Sequence, residues 1–160
     1  MHTMLNRLGW VLGLLICAAA LSACAIGRVQ PGMTHDEVIA RLGTPSRIVP
    51  WGSGTRLQYS GQPAGRYATM VDLDASGRVV QARQVLNARD FARIEVGKWT
   101  RQDVEREFGP PASVDRVASW PFEIMTYRWF DVIDLFFWVY LDQNNLVQRT
   151  SQGMEYYRDD

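Results

Sequence analysis

Three hydrophobic patterns follow one another along the chain. From Leu8 to Leu21 the residues are apolar and uncharged without interruption, a run shorter than the roughly 20 residues a membrane-spanning helix needs. After Gly32 apolar residues recur at helical spacing: Met33, Val38 and Leu42 flank and follow Thr34 and Glu37. Thr34 with Glu37 three residues on is a capping-box pair, and Met33 and Val38 are spaced as the hydrophobic staple around it. Gly43 and Pro45 then stop the helix, so the pattern predicts a helix near 35–42. Alternation with a period of two follows, broken by Gly52-Ser53-Gly54, by Gly61 to Gly65 and by Ala75-Ser76-Gly77. It predicts strands near 46–50, 55–60, 66–74 and 78–85.

The same order then recurs. At a shift of 66, Thr34 meets Thr100, Val38 meets Val104, Leu42 meets Phe108, Gly43 meets Gly109 and Pro45 meets Pro111. Two residues later in register, Tyr59 meets Tyr127, Leu73 meets Leu141, Asp74 meets Asp142 and Val79 meets Val147. A period this long, present twice, is a duplicated module and not a solenoid. The second copy is expected to carry a helix near 101–108, capped by Thr100 and Asp103, and strands near 112–119, 122–130, 135–142 and 146–150. The expected fold class is α+β: two tandem copies of a short-helix plus antiparallel-sheet unit, with the helices on one face of the sheet. The expected divisions are 1–23, 24–28, a first repeat over 29–86, a linker over 87–96 with a helical turn from Asn87 to Phe91, a second repeat over 97–153, and a polar tail over 154–160.

Alternate strand residues face opposite sides of a sheet. The paired leucines Leu73 and Leu141 mark the inner side, which puts Tyr67, Thr69 and Val71 inside in copy one and Leu135, Phe137 and Val139 inside in copy two. Met125, Tyr127 and Trp129 join them. The outer side of copy one, Ala68, Met70, Asp72 and Asp74, reads as a solvated face. The outer side of copy two holds Phe136, Trp138 and Tyr140, with Ile124, Thr126 and Arg128 on the neighbouring strand. Large aromatic rings on an uncovered face mark an interaction surface, and Trp, Tyr and Arg are frequent interface anchors. Arg128, Phe136, Trp138 and Tyr140 are therefore the candidate partner-binding residues. Two other arrangements fit the same pattern: the linker or the tail with Tyr156 and Tyr157 covers the rings, or a one-residue bulge exchanges the two faces.

The N-terminal apolar run ends in Leu21-Ser22-Ala23-Cys24. With Arg7 before it and small residues at its end, it has the form of a secretion signal. The four residues resemble the lipobox of bacterial lipoproteins at every position. That resemblance implies cleavage before Cys24 and acylation of Cys24, which would anchor the protein to a membrane. Ala25, in place of Asp, then implies the outer membrane, with the protein facing the periplasm. Cleavage would leave 137 residues with sixteen basic and seventeen acidic side chains, a balance that gives no sign of nucleic-acid binding.

The motif Gly32-Met33-Thr34-x-x-Glu37-Val38-x-x-x-Leu42-Gly43-x-Pro45, followed by Tyr59, resembles the SmpA/OmlA family of small outer-membrane lipoproteins, which includes the BamE component of the β-barrel assembly machine. The whole first copy fits. The second fits more loosely, with Lys98-Trp99 before the cap and Phe108 in place of Leu. BamE has one such unit and this chain has two. The duplication is similar to the secreted β-lactamase inhibitor proteins. These resemblances imply a protein-interaction role, in outer-membrane protein assembly or envelope integrity, with a protein partner in the envelope such as the assembly machinery. The alternative they imply is an inhibitor of a periplasmic enzyme acting through a concave sheet face.

Catalytic chemistry finds little support in the residues. After cleavage no thiol other than Cys24 remains, and His35, in the first turn of the first helix, is the one histidine. Acyl-transfer sites need a nucleophile with a base, and zinc sites need several His or Cys ligands. Asp131 and Asp134, and Asp72 and Asp74, are carboxylate pairs at strand ends, where turn roles are common. No phosphate-binding glycine loop is present. The expectation is no catalysis, no cofactor and no metal site, with a small-ligand carrier or enzyme as a third reading that needs a closed pocket.

Overall fold

The computed structural model describes residues 29–155. The expected signal, Cys24 with its expected acylation and tether, and the residues after 155 lie outside the described residues. Within them the chain runs α1 (His35–Leu42), β1 (Arg47–Trp51), β2 (Gly54–Ser60), β3 (Ala68–Leu73), β4 (Val79–Gln84), α2 (Ala88–Phe91), α3 (Arg101–Phe108), β5 (Ser113–Val117), β6 (Trp120–Asp131), β7 (Ile133–Leu141) and β8 (Val147–Met154). The strands form two separate antiparallel meanders, β1-β2-β3-β4 (sheet 1) and β5-β6-β7-β8 (sheet 2). The structure is mainly β with short helices, in duplicated sheet units.

The local chemistry repeats with the sequence. The Thr34 amide donates to Glu37 Oε2 at 2.7 Å and the Glu37 amide donates back to Thr34 Oγ1 at 3.3 Å. The Thr100 and Asp103 pair makes both bonds too, at 2.8 and 3.3 Å, so the shorter Asp still closes its box. Gly43 and Gly109 leave the helices at φ of 78° and 79°, a conformation open to glycine at little cost. The phenol of Tyr59 donates to the Gly43 carbonyl at 3.0 Å, and that of Tyr127 to the Gly109 carbonyl at 2.9 Å. Each helix end is thus tied to the second strand of its own sheet. Both sheets also carry a bulge at the same place, between Asp72 and Leu73 and between Tyr140 and Leu141.

Val38 of α1 packs on Leu57, Val71, Leu73 and Val79 of sheet 1, with Val29 in the same cluster. Val104 and Phe108 of α3 pack on Met125, Tyr127, Val139 and Leu141 of sheet 2, and this second cluster also takes in Ala68 and Met70 from sheet 1. Phe91 of α2 stacks on Phe137 with ring centroids 4.0 Å apart and lies edge-on to Trp129 at 5.6 Å. The second helix therefore lies between the two sheets, and the layers run α1, sheet 1, α3 with α2, sheet 2.

This stacking corrects the expectation for the outer face of copy one. Ala68, Met70 and Asp72 are fully buried or within 1 % of it, because α3 of the second repeat sits on that face. Only Asp74, in the hairpin turn, is exposed, where it accepts the Ser76 and Arg78 amides. The inner-side expectation for Tyr67 also changes: it lies before β3 and is half exposed. The inner set of copy two is as the alternation implies, with Met125, Tyr127, Val139 and Leu141 at 0 %. β8 extends to Met154, which pairs with Leu135. Its polar sequence hid that length, and the long apolar β7 beside it supplies the template.

The joint between the repeats is polar and buried. Arg56, at 0 % exposure, donates to both carboxylate oxygens of Asp72 at 2.5 and 2.9 Å and to the Arg106 carbonyl at 3.0 Å. Glu107 lies 3.4 Å from the same guanidinium. The Gln58 amide donates to the Glu105 and Arg106 carbonyls at 2.9 and 3.1 Å. Carbonyls in the last helical turn lack intrahelical donors, and positive charge there is favoured. Sheet 1 thus supplies the C-terminal cap of the second repeat's helix. On its rim Arg47 pairs with Glu105 at 2.8 Å, and Asp90 takes both Arg83 and Arg93.

These pairs fix an acid response. Burial alone would raise the Glu105 carboxyl, but the bonds and charges of Arg47 and Arg101 outweigh it and hold its pKa below the ordinary value. Burial likewise opposes, and Asn87, Arg83 and Arg93 overcome, at Asp90. Groups depressed in the folded state stabilise it fully above their unfolded pKa and lose that contribution as pH falls through the folded pKa. Stability toward urea is expected to be level from about pH 7 to 5 and to fall below about pH 4, the unfolded carboxyl range. Glu105→Gln is expected to make that fall shallower. A wild-type profile unchanged down to about pH 2 would contradict the interface chemistry.

Candidate partner-binding face

The outer face of sheet 2 is set by strand register. Three rungs cross it: Asp115, Ile124, Tyr140 and Arg149; then Ser113, Thr126, Trp138 and Ser151; then Arg128, Phe136 and Gly153. No register slip exchanges the faces between Met125 and Leu135. Phe136, Trp138 and Tyr140 are half-buried and form a ridge along β7. Phe136 and Trp138 meet at 5.7 Å, and the Trp138 ring lies over Gly153, where an added Cβ would stand 3.0 Å from it. The β6 side of the ridge is lower: Ile124 and Thr126 are buried between their neighbours.

Two polar groups close the ends of the ridge. At one end Trp120 donates its indole N–H to the Leu141 carbonyl at 2.9 Å and meets Tyr140 edge-on at 5.4 Å. The Arg149 guanidinium stacks on Tyr140 at 3.9 Å and on Trp120 at 5.6 Å, as cations do on aromatic faces. At the other end Arg128 pairs with Glu155, which also takes Arg66 at 3.1 Å, and Arg66 reaches Asp134 at 2.5 Å. Arg128 also donates to the Pro63 carbonyl at 2.6 Å. The side chain of Gln62 completes the link by bonding both the carbonyl and the amide of Arg128, at 2.6 and 3.1 Å.

Of the four residues singled out by sequence, the structure brings Phe136, Trp138 and Tyr140 together as one ridge. It places Arg128 beside them but engages its guanidinium in tying the loop after β2 to sheet 2. Trp120, Arg149 and Asp115 belong to the same face and escaped the alternation argument. The repeat offset held the signal, since at a shift of 68 Arg149 falls on Gln81, whose amide binds Asp72 at 2.7 Å in sheet 1. Three of the four carboxylates weighed as acid–base pairs have structural partners: Asp72 holds Arg56, Asp134 holds Arg66, and Asp74 accepts the Ser76 and Arg78 amides of its hairpin.

A cleft of about 670 Å³ opens elsewhere, lined by Trp51, Gln81, Arg83, Asn87, Arg89 and Arg93 among others. Asp90 pairs with two of its three arginines. Among the described residues no three His, Cys, Asp or Glu side chains converge as a metal-binding group, and no helix is long and apolar enough to cross a membrane.

No protein-family model matches the chain, and no curated protein matches it. Among solved structures it is similar to YjgB, a DUF4309 family protein from Bacillus subtilis, at 14 % identity and a TM-score of 0.33, over 82 % of this chain and 91 % of that one. A likeness at that score carries no argument about fold or function.

The Arg128 network has a measurable consequence. Arg128→Ala would leave the buried Glu155 carboxylate with one fewer partner and remove the side-chain bond to the Pro63 carbonyl, while the Gln62 bonds to the backbone at 128 stay. Glu155 keeps Arg66, so the expected loss is about 1.5–3 kcal/mol of unfolding free energy, the range for a hydrogen bond to a charged group. Urea denaturation checks it, and an unchanged midpoint would show that Arg128 is not part of the joint.

Proposed function

We propose that this protein is a lipid-anchored, non-catalytic interaction module at the periplasmic face of the outer membrane, binding a protein partner through the outer face of sheet 2. The observation that carries the reading is a contrast between equivalent surfaces. In sheet 1 the positions Ala68, Met70 and Asp72 lie under α3. In sheet 2 the same positions are Phe136, Trp138 and Tyr140, three rings on the last layer of the stack. End repeats of stacked proteins normally present a polar outer surface, and an aromatic one signals association.

The anchor and the ridge are well separated in this reading. Four residues lie between Cys24 and Val29, and Val29 packs in the α1 layer, at the opposite end of the stack from the ridge. With layers spaced by about 10 Å, a protein acylated at Cys24 would hold the aromatic face roughly 30 Å from its anchoring layer and turned away from it. The resemblance of the helix, Gly-x-Pro and tyrosine-strand motif to the SmpA/OmlA family supports an envelope setting, with outer-membrane protein assembly as the role that family suggests.

The test is in-cell photocrosslinking from position 138 of the acylated protein, with Trp138→Asp and Cys24→Ala as companions. Trp138→Asp is expected to leave the protein folded, since the half-buried ring stands on the outer face and not in the core between the sheets, and to abolish adducts formed from neighbouring position 151. Cys24→Ala is expected to move the protein from the membrane to the soluble fraction. Unfolding by Trp138→Asp would make the ridge part of the core and end the docking-face reading. Membrane retention of Cys24→Ala would end the anchor reading.

A further inference from the structure

The outer face of sheet 2 is complementary to itself. Along β7 stand Phe136, Trp138 and Tyr140, and along β6, in register with them, stand Arg128, Thr126 and Ile124. The β7 half of the face is a ridge, and the β6 half dips at the buried Ile124 and Thr126, between Arg128 and the exposed Phe122. The edges carry opposite charge on a single rung, Asp115 on β5 and Arg149 on β8. Both are exposed. Asp115 accepts from Ser113 Oγ at 2.6 Å, and the Arg149 guanidinium stacks on the rings of Tyr140 and Trp120. Among the described residues neither has an ion-pair partner.

We propose that two copies of the chain pack these faces together about a two-fold axis parallel to the strands. This rests on the docking-face reading and names its partner. Such an axis lays β6 of one copy over β7 of the other and β5 over β8, as in an aligned sheet sandwich. Every rung then meets its own reverse. Trp138 enters the place above Thr126 of the second copy, Tyr140 meets Ile124, and Phe136 meets the aliphatic and guanidinium surface of Arg128. Asp115 meets Arg149 at both edges. The contact is isologous and closes at two copies. An axis across the strands would instead set ridge on ridge, with Trp138 against Trp138, and would leave the troughs unfilled. Complementary shape and charge together select the first axis.

The register supplies the experiment. Ser113 and Ser151 lie at opposite edges of one sheet, three strand spacings or about 14 Å apart, too far for a disulfide within one copy. In the dimer Ser113 faces Ser151 of the second copy. Acylated full-length protein carrying Ser113→Cys and Ser151→Cys together, solubilised in detergent and oxidised, is expected to run as a covalent dimer. Either cysteine alone should give at most a tenth of that yield. In the double-cysteine protein, Asp115→Arg or Arg149→Asp alone should lower the yield several-fold, and the two together should restore it. Rescue by the charge exchange supports the two-fold arrangement, since a substitution that merely damages folding is not repaired by a second one across the sheet. A monomer by sedimentation with no double-cysteine dimer overturns it. In that case adducts from position 138 to another envelope protein would leave the docking-face reading standing. Adducts to Tyr156 or Tyr157 of the same chain would overturn both.

Discussion

A guanidinium closed off from water holds this molecule together. Arg56 is surrounded by the Asp72 carboxylate, the Arg106 carbonyl and Glu107, and every one of those partners is itself buried or in the joint. Taking such charges out of water is costly, and the arrangement is stable only when each lone pair and proton is answered. Asp72 is answered a third time by Gln81. The consequence is geometric. Because Arg56 and Gln58 serve as the C-terminal cap of α3, the second repeat has a specific seat on the first, and a hydrophobic contact alone would not set its angle or depth.

The rest of the layer order follows from that seat. Once α3 occupies the outer face of sheet 1, its other side is free to carry sheet 2, and Phe91 and Phe108 fill the space between. Sheet 1 is then covered on both sides, which is why all six residues of β3 are buried. Among the described residues sheet 2 has a helix layer on one side only. The same topological surface is therefore used twice with different chemistry: a polar socket for a helix end in the first repeat, and a ridge of rings in the second.

Much of this was legible in the sequence, and the physical reason is locality. Capping boxes, glycine exits and hairpin turns are set by residues three or four apart, so Thr34 with Glu37 and Thr100 with Asp103 announced both helices. The period-two alternation named the inner set of sheet 2, and the ridge residues with it. What stayed hidden was non-local. Arg56, Gln58 and Asp72 alternate with apolar neighbours as residues of a solvated face do, and the carbonyls that Arg56 and Gln58 serve lie some 50 positions further on. Nothing in a side chain's type distinguishes a charge answered by water from one answered by a distant backbone. Arg128 shows the reverse: it was chosen as an interface anchor by residue type, and the structure engages it with Pro63 and Glu155. The clue available was the comparison of the two copies. Where Arg56 and Asp72 stand in one, Ile124 and Tyr140 stand in the other, and a duplicated fold that changes polar residues to apolar ones on one face has given those faces different neighbours.

The claim that the Arg56 socket seats the second repeat is tested most directly by hydrogen exchange on Arg56→Met, which keeps the side-chain bulk and removes the charge and donors. Local openings are read segment by segment in such an experiment. Faster exchange is expected in β2 and β3 and, together with them, in α3 and the turn at Gly109, although α3 lies in the other repeat. Faster exchange confined to sheet 1, with α3 as protected as before, would contradict it and show that the apolar contacts alone hold the repeats in place.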